Sequence, residues 1–323
     1  MKSIFGKNII ISLFGESHGK YVGVTIHGLP AGIKVNDDFI KSELTRRRPK
    51  NDNETKRIEE DNYEFISGIY NGYTNGSPVT VIIPNGDIDD SCYEEGVLRP
   101  GSSDYPHYIR SNGFGDLRGS GHFSGRLTTP LVIVGALVKP VLQEKNISIS
   151  TLISSSLPDN GDTKGFRAKV TVKGLPVGVG EPFFDSVESV LSHILFSVPS
   201  VKGVSFGDYD IDTKYGSLVK DELEIEDGKV KVLDNHNGGI NGGLTNGNDL
   251  IINVSFKPIS SIAAHQKSVN IKKMENIDLA IRGRHDQTIE NRVPVVLESC
   301  VAIALCDLLS SFYGSEWFKW EEL

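Results

Sequence analysis

Cysteine is scarce in this sequence, and its scarcity excludes two classes of site. Cys92, Cys300 and Cys306 are the only three, too few and too scattered for a disulfide framework or a zinc site. No metal site is expected. Cys300 and Cys306 stand in an apolar run and read as buried packing residues. Positive charge is also in deficit: 34 Lys and Arg against 42 Asp and Glu leave a formal net charge of −8. A general nucleic-acid binder needs a broad basic surface, so that class is excluded. A small anionic ligand is not, because local arginines can hold one inside an acidic protein. No run of about eighteen consecutive apolar residues occurs, so no membrane span is expected. The start of the chain lacks the long apolar core of a secretory signal. These absences together point to a cytoplasmic globular protein.

What is present is a chain of 323 residues, 38% of them hydrophobic, enough to bury a core in one large domain or two smaller ones. It echoes itself. Val24-Thr25-Ile26-His27-Gly28-Leu29-Pro30-Ala31-Gly32-Ile33 is matched by Val170-Thr171-Val172-Lys173-Gly174-Leu175-Pro176-Val177-Gly178-Val179. Asn71-Gly72-Tyr73-Thr74-Asn75-Gly76 aligns on Thr-Asn-Gly with 241–247, and each copy leads into an apolar strand, 79–83 or 250–256. Arg126 and Arg292 each precede a long apolar stretch, to Leu142 and Phe312. Gly-Leu-Pro and Thr-Asn-Gly are common turn chemistry, but three echoes in one order favour internal duplication. The expected architecture is α+β: two β-rich halves, roughly 1–157 and 165–323, in a single domain, each lending one long helix to a central layer between antiparallel sheets. A ligand site would lie between the halves. Residues 158–164 read as the exposed connection, and the densely charged 51–62 as a solvated loop.

The helix at Asp37–Arg47 is clearly signalled. Asn36 suits the N-cap, Asp37 and Asp38 suit the positive end of the dipole, and Pro49 stops the helix after Arg46, Arg47 and Arg48. Those arginines can clamp phosphate or carboxylate with forked donors; taken alone they serve equally as a solvated helix end. Gly15-Glu16-Ser17-His18-Gly19 brings an imidazole into a loop that approaches a ligand closely. Residues 99–126 carry Arg99, Arg110, Arg118, Arg126, His107 and His122 among six glycines, a polar stretch too long for mere connection. Its amides suit an anion-binding nest, yet it is neither a Walker loop nor a dinucleotide fingerprint. Lys257-Pro258-Ile259-Ser260-Ser261, at a strand end, can hold a phosphate. Gly283-Arg284-His285-Asp286 offers an acid that serves as a general base or merely caps the last helix. The residues by themselves describe an enzyme acting on a multiply anionic ligand.

Six motifs carry a family resemblance. Gly-Glu-Ser-His-Gly at 15–19, Arg-Arg-Arg-Pro at 46–49 and Arg-Pro-Gly at 99–101 are followed by Gly-Gly-Ile-x-Gly-Gly at 238–243, Lys-Pro-x-Ser-Ser at 257–261 and Gly-Arg-His-Asp at 283–286. In order and spacing they resemble the chorismate synthases, over nearly the whole chain. The resemblance implies a β-α-β sandwich with central helices, a homotetramer and tightly bound reduced FMN. It also implies the last step of the shikimate pathway: a lyase that forms chorismate and phosphate from 5-enolpyruvylshikimate 3-phosphate by 1,4-anti elimination. His18 matches the histidine that protonates the departing phosphate, and Asp286 the acid that removes the C6 proton. Arg46, Arg47, Arg48, Arg118 and Arg126 fall to the substrate. Gly242, Lys257, Pro258, Ile259, Ser260, Ser261 and Arg284 fall to the flavin. With no fingerprint for an intrinsic NADPH-dependent reductase, an external flavin reductase is expected.

The pattern is broken at three places. Ser102 stands where the family has a histidine credited with protonating the flavin, and serine cannot supply a proton at neutral pH as imidazole can. His122-Phe123-Ser124 replaces the family's Arg-Ser-Ser flavin segment. The loop 51–62 lacks a clear match to a basic residue. The expectation is that His122 or His107 takes over the function missing at Ser102; the alternative is a flavin- or anion-binding paralogue with impaired catalysis.

Overall fold

The structure is a computed structural model and describes residues 1–50, 54–55, 57–91, 93–154, 162–262, 264–281 and 288–318. Cys92, Arg284 and Asp286 and most of the 158–164 connection lie outside the described residues.

Up to residue 144 the chain forms β1 (Ile4–Phe5), β2 (Ile10–Gly15), β3 (Tyr21–His27), α1 (Asp37–Arg47) and β4 (Glu64–Ser67). The small hairpin β5 (Ile69–Tyr70) and β6 (Tyr73–Thr74) follows, then β7 (Val79–Pro84), α2 (Asp104–Arg110) and α3 (Thr128–Glu144). The remainder supplies β8 (Ser148–Ser154), β9 (Phe166–Lys173), α4 (Val187–Leu195), β10 (Val201–Phe206) and the hairpin β11 (Leu223–Glu226) and β12 (Lys229–Val232). After these come the hairpin β13 (Ile240–Asn241) and β14 (Leu244–Thr245), β15 (Leu250–Phe256), the hairpin β16 (Gln266–Asn270) and β17 (Glu275–Leu279), and α5 (Val293–Tyr313).

Two antiparallel sheets result, ordered β1-β2-β3-β7-β4 and β10-β15-β9-β8. Apart from the short β1 they repeat one connection pattern. The sequence echoes turn out to be one device used twice. The buried Thr74 Oγ1 accepts from Ile33 N (2.9 Å) and donates to Pro30 O (2.6 Å); the buried Thr245 Oγ1 accepts from Val179 N (2.9 Å) and donates to Pro176 O (2.6 Å). In each copy the Thr-Asn-Gly threonine fastens the Gly-Leu-Pro turn. The glycines of those turns are required: at Gly28 and Gly174, φ is 83° and 82°, and a Cβ would fall 1.8 and 2.2 Å from the carbonyl oxygens of Asn8 and Asn146.

Strands β9 and β15 alternate buried and outward residues, the mark of a sheet with one face on a core. That core is the helix pair. α3 lies against β3 and β7, α5 against β8 and β9, and the two helices pack along each other; the architecture is a β-α-β sandwich. Helices so placed must be apolar on nearly every side. Arg118–Glu144 and Val293–Tyr313 are apolar enough by composition to cross a membrane, but 89% and 94% of their apolar windows are buried inside the protein. Where they cross, a Cβ on Gly135 would sit 2.3 Å from Ser299 Cβ and 2.7 Å from its Cα. Gly135→Ala is therefore expected to destabilise by about 2 kcal/mol, since overpacking at the backbone outweighs the gain in helix propensity. A falling midpoint in urea at unchanged slope is the check.

α1 begins as the sequence indicates, with Asn36 Oδ1 accepting from Phe39 N at 3.1 Å. It ends at Arg48, whose ψ of 151° is the extended conformation imposed by the following proline. Its last turn divides the three arginines. Arg46 turns toward the helix layer, bonded to Glu43 (2.8 Å) and Glu298 (2.7 Å). The same two acids pair with the buried Lys139. Burial pushes the Glu43 carboxyl up, but Lys139 and Arg46 outweigh it and hold Glu43 below its ordinary value. Arg46, expected at the substrate, is thus committed to closing a buried charge network.

Candidate active site

Three adjoining cavities meet at Ser124. The first, about 1060 Å³, opens beside His18; the second, about 150 Å³, is lined by arginines; the third, about 800 Å³, runs toward Lys257. Ser124 borders all three because it caps the short turn leading into α3, accepting from Arg126 N at 3.3 Å.

His18 follows β2 and is nearly enclosed, its side chain 7% exposed. Nδ1 is buried without a partner, Nε2 lies 3.9 Å from the Asp90 carboxylate, and the ring meets Tyr93 edge-on at 5.3 Å. A Cβ on Gly119 would stand 2.3 Å from His18 Cε1, so only glycine leaves room for the ring. Gly119, Ser120 and Gly121 are successive positive-φ residues, and the Ser120 amide is spent on Leu117 O at 3.1 Å. Burial, then Arg57, lowers the His18 pKa; Asp90 opposes them, Arg118 adds to the lowering and Asp116 opposes it. The balance favours the neutral imidazole.

In the second cavity Arg47, 4% exposed, donates from Nε to Thr128 Oγ1 (3.0 Å) and from an Nη to Gly125 O (3.1 Å). Burial, then Arg292, pushes its guanidinium down to about 9, still charged at neutral pH. Arg126, equally buried, donates to Asn85 Oδ1 (2.9 Å) and Pro84 O (3.0 Å). Arg48, Arg57 and Arg292 complete the basic lining. Between Arg47 and Arg126 stands the buried Asp61, bonded to Arg126 and 3.6 Å from Arg47.

Arg57 and Asp61 were not legible as site residues. The charged loop was expected to be solvated, but its Glu54 and Asp61 are buried, at 1% and 4% exposed. Arg57 bonds Ser17 through both side chain (2.8 Å) and backbone (3.0 Å). It lines the first and second cavities alike and joins His18 to the arginine pocket. The one available signal was an arginine among acids: Glu59 pins it at 2.7 and 2.9 Å.

The third cavity draws on both halves of the chain. Lys257 Nζ donates to Gly101 O (2.6 Å) and Ser260 Oγ (2.7 Å), leaving one N–H for a ligand. Burial, then Lys202, lowers the Lys257 pKa. Phe123, Ser124, Ile259, Ser260 and Ser261 also border this space, while Pro258 is exposed and shapes the turn. A volume of this size, an ammonium at one end, two serines and a flanking phenyl ring suit a phosphorylated planar cofactor such as FMN. Gly242 is placed elsewhere. It lies in the β13–β14 turn at the Leu250 end of β15, whereas Lys257 follows the Phe256 end. Seven strand residues lie between, roughly 23 Å at 3.3 Å each.

The remaining expected residues separate. His122 borders the third cavity, with Nδ1 donating to Gly15 O (2.7 Å) and Nε2 at 2.6 Å from Ser3 Oγ. His107 is buried behind Phe123, rings 5.0 Å apart, and borders none of the three cavities. Ser102 Oγ donates to Arg99 O (2.7 Å) and accepts from Asp104 N (3.1 Å), a local cap at the third cavity's edge. Arg118 borders the first cavity, tied to Asp116 (2.9 Å) and Asp90 (2.6 Å). Among the described residues no cluster suited to a metal ion occurs.

The family model described as "Chorismate synthase" matches residues 9–158 and 154–310. The chorismate synthase of Chitinophaga pinensis is 40% identical over 319 residues, covering 94% of this chain and 96% of that protein. That of Thermococcus kodakarensis is 39% identical over 342 residues, with 94% and 96% covered. A solved structure titled "Crystal Structure of Chorismate Synthase" superposes with a TM-score of 0.74 at 23% identity, over 96% of this chain and 94% of that one, which speaks for the fold.

Proposed function

Because this chain belongs to the chorismate synthase family, we propose that it converts 5-enolpyruvylshikimate 3-phosphate to chorismate and inorganic phosphate in the three cavities that meet at Ser124. The carrying observation is their junction: a near-enclosed imidazole, an arginine pocket sized for one anionic group and a cleft suited to FMN share one wall.

The C3–O bond breaks with its electron pair leaving on phosphate, and a proton is lost from C6. Atoms and electrons balance with no net oxidation. Reduced FMN, when bound, lends electron density to the ring being unsaturated and recovers it. Lys257, Ser260 and Ser261 would hold its phosphate. Arg47, Arg48 and Arg126 hold the substrate's phosphate, and Arg57 joins them. His18 Nε2 gives a proton to the departing phosphate. Burial, then Arg57, lowers the His18 pKa; an arriving dianion offsets the guanidinium part of that lowering, so His18 takes up its proton together with the substrate. Asp286 is assigned the C6 proton and Arg284 the flavin, on the family match of 283–286 alone.

His122 is the histidine assigned to the flavin side. Gly15 O fixes its Nδ1–H tautomer, and Nε2 exchanges a proton through the Ser3 hydroxyl. Changing both His107 and His122 to alanine is expected to abolish turnover in a protein that still folds and binds FMN. With the cavity bordered by His122 alone of the two, the single His107→Ala variant should keep most of its activity. The reading includes a homotetramer, in which Gly242 could reach only a neighbouring copy's cofactor, an external flavin reductase and a cytoplasmic setting. We also read the chain as one domain of two duplicated halves, 1–157 and 165–323, supported by the twin threonine fastenings.

The direct test is anaerobic incubation with dithionite-reduced FMN and 5-enolpyruvylshikimate 3-phosphate. Phosphate and chorismate should appear in equal amounts while the flavin stays reduced. A binding protein would release neither, and an oxidoreductase would oxidise the flavin stoichiometrically.

A further inference from the structure

We infer that Asp61 is the built-in counter-charge of the arginine pocket, setting how tightly the pocket grips an anion and hence how readily phosphate leaves. The inference rests on reading that pocket as the substrate's. Among its described lining residues are five arginines and two carboxylates. Glu59 is committed to Arg57 and to Gly86 N at 2.9 Å. Asp61 is the acid set between the two most enclosed guanidiniums, one oxygen on Arg126 and the other toward Arg47.

Hydrogen bonding alone does not explain its presence. Arg126 is already anchored by Asn85 and Pro84 O, and Arg47 by Thr128 and Gly125 O. What Asp61 adds beyond these anchors is a negative charge on a side chain only 2% exposed, where it is screened less than at the surface. An uncompensated pocket would bind the leaving phosphate along with the substrate and retain it. Asp61 also sits at φ 54°, a left-handed conformation in which asparagine is at home and most residues are strained. Asp61→Asn therefore removes the charge and keeps the shape.

The probe is inorganic phosphate, titrated calorimetrically into the flavin-free full chain at fixed ionic strength. In Asp61→Asn the affinity should rise roughly tenfold or more, as one buried unit charge within a few ångströms requires. Phosphate should become a correspondingly stronger product inhibitor. Adding Arg47→Met should erase the gain. Unchanged or weaker phosphate binding in Asp61→Asn overturns the inference, weaker binding being what a purely structural role predicts. A gain that survives Arg47→Met overturns it too. Should Asp61→Asn not fold, Asp61→Gly, equally at home at positive φ, also removes the charge and should show the same rise in phosphate affinity; no rise overturns the inference. Phosphate binding is read without substrate or flavin, so its outcome stands apart from whether the chain performs the elimination.

Discussion

Replacing His18 with asparagine will lower kcat by about 10²–10⁴-fold, the range general acid catalysis contributes, with FMN binding and fold intact. The fold survives because His18 makes no hydrogen bond that the substitution could break: Nδ1 has no partner and Nε2 is 3.9 Å from Asp90. Flavin binding survives because His18 borders the first cavity and not the third. The pH profile carries the sign. Burial first, and Arg57 second, hold the free imidazole below its ordinary value near 6.5. The acid form is needed, so kcat/KM for the parent should rise as pH falls from 8 toward that lowered value. In the complex the substrate's phosphate favours the imidazolium, so the corresponding limb in kcat should lie at higher pH. At pH 7 the parent should also take up protons on binding substrate, seen with an indicator dye in weak buffer, and His18→Asn should take up fewer. A variant with the parent's profile and proton uptake would remove His18 from the role.

Arg47→Met is the second large effect, an expected fall in kcat/KM of about 10²–10³-fold. Loss of a charge-assisted contact to a buried anion costs on the order of 3–4 kcal/mol, and each 1.4 kcal/mol is tenfold. Because the contact forms with bound substrate and persists through the reaction, KM should rise more than kcat falls. Arg47→Lys should recover little. The guanidinium reaches Thr128, Gly125 O and Asp61 from three nitrogens at once, a fork one ammonium cannot reproduce. The substitution also leaves Asp61 to Arg126 alone, so a modest loss of stability should accompany the kinetic effect. A Lys variant with parental KM would show that only charge matters there.

The site was partly legible in the sequence. His18, Arg47 and Lys257, each offered by its motif, border the three cavities, because turn chemistry and a proline-stopped helix are local matters. Arg46 and Arg47 were not separable. They are neighbours on one helix, about 100° apart around its axis, and only the packing of α1 against α3 and α5 sends one into a buried charge network and the other into the pocket. Arg57 and Asp61 were hidden for a related reason. A run of mixed charge reads as solvated until something distant buries it, and what buries Asp61 is Arg126, 65 residues along. The two histidines offered for the flavin side looked alike in sequence; one reaches the cavity and the other lies behind Phe123.

By itself the sequence determined helix α1, strands β7 and β15, the two long apolar helices, the repeated Gly-Leu-Pro and Thr-Asn-Gly device, the anionic character of the ligand and the family. Each rests on short-range periodicity, turn preference or motif order. The tertiary structure decided which charges face the cavities and which neutralise one another. Those outcomes depend on contacts such as Lys257 with Gly101, 156 residues apart. A buried charge takes its role from the partner that folding brings to it.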